Sequence, residues 1–313
     1  MVQELGKKII AEAVQNRAQD IYIIPKRDFY ELYMRIGDER RFIDDYEHQF
    51  MANLISHFKF VAGMNVGEKR RSQLGACDYH YDEDKTISLR LSSVGDYRSY
   101  ESLVIRLLFD GRHDLKFWFN GMNLILKEIK GRGLYLFSGP VGSGKTTLMY
   151  QLVKEKFSSR QVITIEDPVE IKEDNMLQLQ LNESIDMTYD NLIKLSLRHR
   201  PDILIIGEIR DKETARAVIR ASLTGAVVFS TVHAKSIPGV YARLLELGVS
   251  QEELENALRG IAYQRLIKGG GVIDFAQRNY QKHSAQRWNK QIDSLFAEGY
   301  ITKEEAEAEK IED

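Results

Sequence analysis

A glycine-rich segment that ends in lysine and threonine is the part of the sequence whose spacing most clearly suggests chemistry. It reads Gly-Pro-Val-Gly-Ser-Gly-Lys-Thr from residue 139 and fits the pattern G-x-x-x-x-G-K-[ST]. Such glycines let backbone N–H groups turn toward phosphates, while the lysine reaches the β- and γ-oxygens and the hydroxyl ligates Mg²⁺. The pattern therefore predicts ATP and Mg²⁺ as cofactors. The predicted nucleotide-binding residues are Gly139, Pro140, Val141, Gly142, Ser143, Gly144, Lys145, Thr146 and Thr147.

Carboxylates follow two apolar runs further along the chain. Residues 203–206 lead into Gly207 and Glu208, where many phosphate-loop enzymes place an aspartate for Mg²⁺ and then a glutamate that polarises water. Since a glycine replaces the aspartate, Glu208 is the candidate that orders the attacking water. Residues 162–165 lead into Glu166-Asp-Pro-Val-Glu170, a carboxylate cluster that suits Mg²⁺ and water. The alternative is a pair of solvated acidic turns.

A histidine follows a third apolar run. Residues 226–230 continue into Thr231, Val232 and His233. A histidine at the end of a strand can hydrogen-bond a γ-phosphate, and its charge changes near neutral pH. A structural histidine without a role in chemistry is the alternative.

The elements that position these residues form two predicted domains. Beyond residue 120, apolar runs alternate with helical segments, which is typical of a buried parallel sheet with crossover helices. Before residue 109, an amphipathic helix, a second helix near residues 50–62 and short strands at 21–24, 30–36 and 86–91 indicate a small α+β domain. We therefore predict domains at 1–108 and 121–313, joined by a turn-rich linker at 109–120, with an acidic helix over 303–313.

Composition excludes several other classes of protein. The chain has 44 Lys+Arg and 46 Asp+Glu, so no global basic field attracts nucleic acid or anionic lipid. The one cysteine, Cys77, rules out an internal disulfide framework, and the histidines lack metal-binding spacing, so we expect no zinc. Charged residues interrupt the first 18 positions, and no apolar stretch reaches about 18 residues. These features predict a cytoplasmic protein that associates with a membrane only peripherally, without crossing it.

Taken together, the motifs resemble those of a known family. The segments that begin at Gly139, Ile165, Arg200 and Thr224 look like the Walker A, Asp box, Walker B and His box of the secretion ATPases. These are the hexameric motors of type II secretion and type IV pili. The resemblance extends through Gln264-Arg-Leu and into the first domain at residues 19–23, 60–75 and 88–92. It is specific, because four motifs occur in the family's order.

The resemblance implies a fold and a set of site residues. The fold is α/β, with a small N-terminal PAS-like domain followed by a RecA-like phosphate-loop ATPase domain that has a mainly parallel sheet. Glu170 and Glu208 are implied to act on Mg²⁺ and water, with Thr146 completing the metal ligands, partly through water, and His233 is implied to be functional. Several arginines flank predicted strands, and guanidinium groups delivered across a subunit interface neutralise phosphoryl-transfer charge. The implied catalytic arginines are Arg71, Arg90 and Arg106, the alternative being ordinary surface ion pairs.

The resemblance also implies partners and a task. These are a homo-hexamer at the cytoplasmic face of the membrane, an integral-membrane platform protein, and assembly of a competence pilus for DNA uptake, without direct nucleic-acid contact. The family's tetracysteine zinc module is missing. A pilus retraction ATPase, a RecA-like motor on nucleic acid and a scaffold with vestigial hydrolysis remain alternatives. The sequence departs from the family pattern at two places: Ala226 stands where the family has a histidine, and His199-Arg200 stands where the family has Gln-Asp. We expect His199-Arg200 to add positive charge near the site.

Overall fold

The computed structural model describes residues 2–37, 39–109, 115–182 and 185–311. Its contacts divide the chain into two units, residues 1–110 and 111–313. The elements of the first unit are α1 Val2–Gln15, β1 Asp20–Pro25, β2 Tyr30–Ile36, β3 Glu39–Tyr46, α2 His48–Val61, β4 Gln73–Asp82, β5 Lys85–Gly95 and β6 Glu101–Leu108.

The first unit is an antiparallel sheet in the order β3-β2-β1-β6-β5-β4, with both helices contributing to its core. Alternate residues of β1 point into that core, since Ile21 and Ile23 are fully buried. Arg90 and Arg106 lie within β5 and β6, where they are directly paired across the two strands. The prediction that these two arginines flank strands is therefore wrong, because the polar face of a two-faced sheet carries charged residues along the strand itself.

The second unit contains the remaining elements. They are α3 Gly121–Glu128, β7 Gly133–Ser138, α4 Lys145–Phe157, β8 Val162–Glu166, β9 Leu177–Gln180, α5 Tyr189–Arg198, β10 Ile203–Glu208, α6 Lys212–Ser222, β11 Val227–Val232, α7 Ile237–Glu246, α8 Gln251–Ala257, β12 Leu258–Ile267, β13 Gly270–Ala276, α9 Gln286–Ala297 and α10 Lys303–Glu309.

The sheet of the second unit has the order β13-β12-β7-β11-β10-β8-β9. Every neighbouring pair is parallel except β12 with β13. All of β7 is buried, and its residues alternate between two cores, with Leu134 and Leu136 in one and Tyr135 and Phe137 in the other. Both faces of the sheet are thus covered, as a parallel sheet requires. The predicted α/β fold with a mainly parallel sheet is confirmed.

The stretch that was predicted as a linker is only partly described. Its turn signals at residues 110–114 lie outside the described residues. Beyond them, the backbone N–H of Trp118 donates to Gly271 O at 3.1 Å, and Lys116 O accepts from the Gly271 N–H at 2.7 Å. Residues 116–118 therefore run alongside β13.

The C-terminal helix is shorter than predicted. It begins with a capping box, in which Thr302 and Glu305 bond each other's backbone N–H groups, and it ends at Glu309. Residues 312 and 313 of the predicted helix lie outside the described residues. In the part of the chain that is described, no helix is both long and apolar enough to cross a membrane.

Candidate nucleotide-binding site

The glycine-rich segment forms the turn between β7 and α4. Gly139, Gly142 and Gly144 have φ angles of +145°, +77° and +80°, which side chains rarely tolerate. Gly144 caps α4, and the first helical hydrogen bond runs from Leu148 N to Gly144 O. The N–H groups before Leu148 have no acceptor within the helix, so the end of α4 offers donors and positive potential to an anion.

Lys145 lies against the loop that precedes it. Its ammonium donates to the carbonyl oxygens of Gly139 at 3.0 Å and Pro140 at 2.8 Å. Burial lowers the pKa of Lys145, and the negative charges of Glu208 and Glu170 act in the opposite direction. The structure therefore brings both predicted carboxylates close enough to Lys145 to influence its charge.

Glu208 ends β10 and interacts with two basic groups. The ring nitrogen Nε2 of His233 lies 3.2 Å from Glu208 Oε2, and Arg210 bonds the other oxygen, Oε1. Arg210 also reaches Asp167 Oδ2 at 3.4 Å. A bond to Glu208 raises the pKa of Arg210, so its guanidinium stays charged. Sequence reasoning had not included Arg210, although its place two residues after Glu208 puts both at one strand end.

Gly207 occupies the position where an aspartate was expected from other phosphate-loop enzymes. A Cβ built there would lie 3.1 Å from the hydroxyl of Tyr189 and 3.4 Å from the backbone oxygen of Ile165. These contacts leave little room for a carboxylate. Burial raises the pKa of Tyr189 to about 12, so the phenol remains neutral beside Glu208. The acidic group that reaches the site from β10 is accordingly Glu208.

The acidic turn after β8 does not form a single carboxylate cluster. Glu166 is buried, and its Oε1 accepts hydrogen bonds from Tyr150 and Thr164 at 2.6 Å each. Burial raises the pKa of Glu166. The expectation of a dense cluster at the edge is wrong for Glu166, because the side chain of a strand residue turns into the core. Within residues 2–37, 39–109, 115–182 and 185–311, no three His, Cys, Asp or Glu side chains form a metal site.

Gln264 of β12 contacts residues 139–146, the glycine-rich segment that we call the phosphate loop. The sequence analysis assigned no role to Gln264. The parallel pairing of Tyr263 with Ser138 places the next residues, Gln264 and Gly139, side by side. Gln264 Nε2 donates to the Ser143 carbonyl oxygen at 2.6 Å. A Cβ added to Gly139 would stand only 2.1 Å from the Gln264 backbone oxygen. The resemblance through Gln264-Arg-Leu was the only signal in the sequence that pointed here.

The three candidate arginines lie in the first unit and differ in their surroundings. The side chain of Arg71 is 87% exposed and stands 3.8 Å from Glu68. Arg106 Nε donates to Asp20 at 2.8 Å. Arg90 is half-buried beside Arg106. Arg106 is therefore held by an ion pair within the unit, whereas most of the Arg71 side chain is exposed to solvent.

Both departures from the family pattern lie away from the phosphate loop. Arg200 precedes β10 and Ala226 precedes β11, so both lie near the amino ends of the strands. The phosphate loop, Glu208 and His233 lie at the carboxyl ends. The expectation that His199 and Arg200 add charge near the site is therefore wrong, because the length of the strands separates the two edges.

Comparison with known proteins identifies the family. The model of the family "Type II/IV secretion system protein" matches residues 1–293, and the chain belongs to this family. It is 67% identical over 311 residues to the competence protein ComGA of Streptococcus pneumoniae, covering 99% of each chain.

Two solved structures share the fold. The Legionella pneumophila ATPase DotB has a TM-score of 0.75 at 18% identity, covering 97% of this chain and 94% of that one. The pilus retraction motor PilT with bound ADP has a TM-score of 0.73 at 23% identity, covering 98% and 97%. At these identities the likeness establishes the fold alone.

Proposed function

We propose that the chain is an ATPase that binds ATP at residues 139–147 and hydrolyses it with Glu208 as the residue that orders water. The observation that carries this proposal is the arrangement of side chains at the carboxyl edge of the sheet: Lys145 bonds the glycine-rich loop that follows β7, and Glu208 ends β10 in contact with Arg210 and His233. Phosphoryl transfer needs a phosphate-binding cation and carboxylates. In this proposal Lys145, Glu208 and Glu170 supply them from the carboxyl ends of β7, β10 and β8.

Each residue has a distinct task in this proposal. Lys145 exchanges its two carbonyl acceptors for the oxygens of the β- and γ-phosphates. The bond to Arg210 fixes one oxygen of Glu208, while the other faces His233 and is placed to accept a proton from water. His233 is half-exposed and donates toward the transferred phosphate or Glu208.

The donor set also fits magnesium. Thr146 supplies a hydroxyl, and Glu170 and Glu208 supply carboxylates, partly through water; these are the hard oxygen donors that Mg²⁺ prefers. When bound, Mg²⁺ neutralises charge that develops on the phosphate oxygens. In this proposal the chain's own residues hold the nucleotide and orient the water.

We further propose that hydrolysis drives assembly of a competence pilus for DNA uptake. The 67% identity to a competence protein supports this task more directly than the fold does. In this proposal the chain acts as a homo-hexamer at the cytoplasmic face of the membrane and moves an integral-membrane platform protein. Arg71, Arg90 or Arg106 then completes the site of a neighbouring subunit.

The test replaces the 67%-identical relative in Streptococcus pneumoniae with this chain. We expect surface pilus filaments and transformation to be restored by the unaltered chain and not by Glu208→Gln. Filaments that persist while transformation fails would favour retraction as the task. ATPase activity that single-stranded DNA stimulates would favour a motor on nucleic acid. Expression of both proteins at equal levels is the control.

A further inference from the structure

Gln264 is a buried residue of β12 that contacts two points of the phosphate loop. The residue is 1% exposed. Its side chain holds the carbonyl of Ser143 at 2.6 Å, and its backbone oxygen stands against Gly139. The contact therefore joins the start of the loop to its end through a single residue of a neighbouring strand.

The direction of the Ser143 carbonyl determines the direction of the next N–H group. In a trans peptide the C=O of one residue and the N–H of the next point in opposite directions. The only cis peptide of the described chain precedes Pro168, so the bond between Ser143 and Gly144 is trans. Because Gln264 draws the carbonyl toward β12, the Gly144 N–H points away from β12. This N–H belongs to the donors at the start of α4 that lack a helical acceptor.

The side-chain chemistry of Gln264 indicates that its amide N–H, which bonds the Ser143 carbonyl, is the group that matters. Gln264 Oε1 is buried without a hydrogen-bond partner in the described structure. An apolar side chain of similar size would fill the same space and avoid the cost of that oxygen. The amide N–H is therefore the group whose bond distinguishes glutamine from leucine or methionine at this position.

We propose that Gln264 is a positioning residue that aims the Gly144 N–H at the β-phosphate of the bound nucleotide. This inference rests on the proposed nucleotide site and deepens it. Gln264 touches no phosphate itself. Without its bond the peptide between Ser143 and Gly144 is free to turn, and the phosphate loses one oriented donor. Losing this donor lowers the affinity for every ligand that carries the β-phosphate or an equivalent phosphate group.

The test compares Gln264→Leu with the unaltered chain by calorimetric titration of ATP, ADP and inorganic pyrophosphate. We expect affinity for all three to fall by a similar factor, about tenfold to a hundredfold, which is the range for a hydrogen bond to a charged group. In steady-state hydrolysis, KM should rise by that factor while kcat changes by less than about threefold, because Glu208 and His233 stay in place.

Gln151→Leu is the matched control. Gln151 lies in α4, is 7% exposed and also has a buried Oε1 without a partner in the described structure. The same substitution there should leave the affinities for ATP, ADP and pyrophosphate within about twofold of the unaltered chain, because Gln151 does not bond the phosphate loop. A purely structural role for Gln264 would make the two variants alike. If Gln264→Leu does not fold, Gln264→Met, which also lacks the donor, serves in its place.

Three results would overturn the inference in distinguishable ways. Unchanged affinities in a folded Gln264→Leu chain would remove the positioning role and leave the proposed function intact. A loss of ATP affinity with pyrophosphate affinity retained would place the effect away from the phosphates. Failure of the unaltered chain to bind any of the three ligands would refute the proposed nucleotide site together with this inference.

Discussion

In the proposed site, Lys145 is the residue on which nucleotide binding most directly depends. Its ammonium already bonds two carbonyls of the loop, so the lysine is held where phosphates arrive. We predict that Lys145→Ala abolishes measurable ATP binding in a titration, while the melting temperature shifts by only a few degrees. The reason is that a lysine in a phosphate loop serves the ligand more than the core.

Lys194→Ala supplies the comparison for this experiment. Lys194 is an exposed lysine of α5 that pairs with Asp190, and such surface pairs contribute little. The control should bind ATP as the unaltered chain does. Normal ATP affinity in Lys145→Ala, with a normal melting curve, would exclude the loop as the site.

Substitution of Glu208 tests whether hydrolysis can be lost while nucleotide binding is kept. Glu208→Gln keeps the size of the side chain but removes the charge that accepts a proton from water. We predict unchanged nucleotide affinity and a fall in turnover of about a hundredfold or more, the range for general-base catalysis. Glu213→Gln, an exposed glutamate in the first turn of α6, is the control. Turnover within a few-fold of the unaltered value would make Glu170 the leading candidate.

At the scale of elements, Glu166 connects α4, β8 and β9. Tyr150 of α4 donates to Glu166, and Gln178 of β9 donates to the Tyr150 hydroxyl at 2.9 Å. Burial raises the pKa of Glu166 above its ordinary value of 4.5. The folded chain therefore binds more protons than the unfolded chain in the interval above pH 4.5, and this group makes stability fall as pH rises through that interval.

We predict that Glu166→Gln removes this contribution to the pH dependence. The free energy of unfolding of the variant, relative to the unaltered chain, should rise between about pH 5 and about pH 8. Urea unfolding at both values measures the difference. Tyr150→Phe is informative as a second variant, since losing this donor to the carboxylate should steepen the fall of stability with pH. A pH-independent difference for Glu166→Gln would show that the carboxyl does not titrate in this range.

The elements around the site could be predicted from the sequence because each combines an apolar run with a motif at its end. The strands β8, β10 and β11 lie within about two residues of the predicted runs, since a parallel sheet buries them on both faces. Strand β3 was missed because most of its residues are exposed, and its register comes from pairing with β2. No hydrophobic pattern marks such a strand.

The contacts of Gln264 and Glu166 could not be predicted for a different reason. Gln264 contacts Ser143 across 121 positions, and this contact depends on which strand lies next to β12 in the sheet. Glu166 contacts Tyr150 of α4, and this contact depends on how the helix packs against the sheet. Residue types alone predicted which groups reach the carboxyl edge, but not that Glu166 turns into the core.

At the scale of the whole molecule, the three candidate arginines belong to the first unit, whereas the phosphate loop belongs to the second. If Arg71, Arg90 or Arg106 acts on a neighbouring subunit, activity requires assembly. We predict that specific activity rises with protein concentration and that Arg90→Ala depresses hydrolysis without lowering the nucleotide affinity of the monomer. Arginines of this type contribute about 10³- to 10⁵-fold in rate. Arg98→Ala, whose arginine pairs with Asp96 at 2.9 Å, is the matched control.

Mixing variants tests the shared site directly. Arg90→Ala chains retain the phosphate loop, and Lys145→Ala chains retain the arginine. Co-assembled chains should regain activity at interfaces where an intact loop meets an intact arginine. Activity that does not depend on concentration, down to a proven monomer, would exclude a shared site. Repeating the mixture with Arg71→Ala and Arg106→Ala identifies which guanidinium is responsible.

The separation of the hydrophobic cores affects which buried positions can vary independently in the sequences of the family. In the described part of the chain, the core of the first unit draws only on residues up to Leu107, whereas both cores of the second unit begin beyond it. Among the described residues, each of these clusters takes its buried side chains from one unit. A substitution accepted in one unit's core makes no steric demand on the other's, so buried positions that change together among relatives should belong to the same unit. Within the second unit, successive residues of β7 belong to two different cores. A substitution that shifts β7 therefore affects the packing of both cores, and buried positions of these two cores should change together.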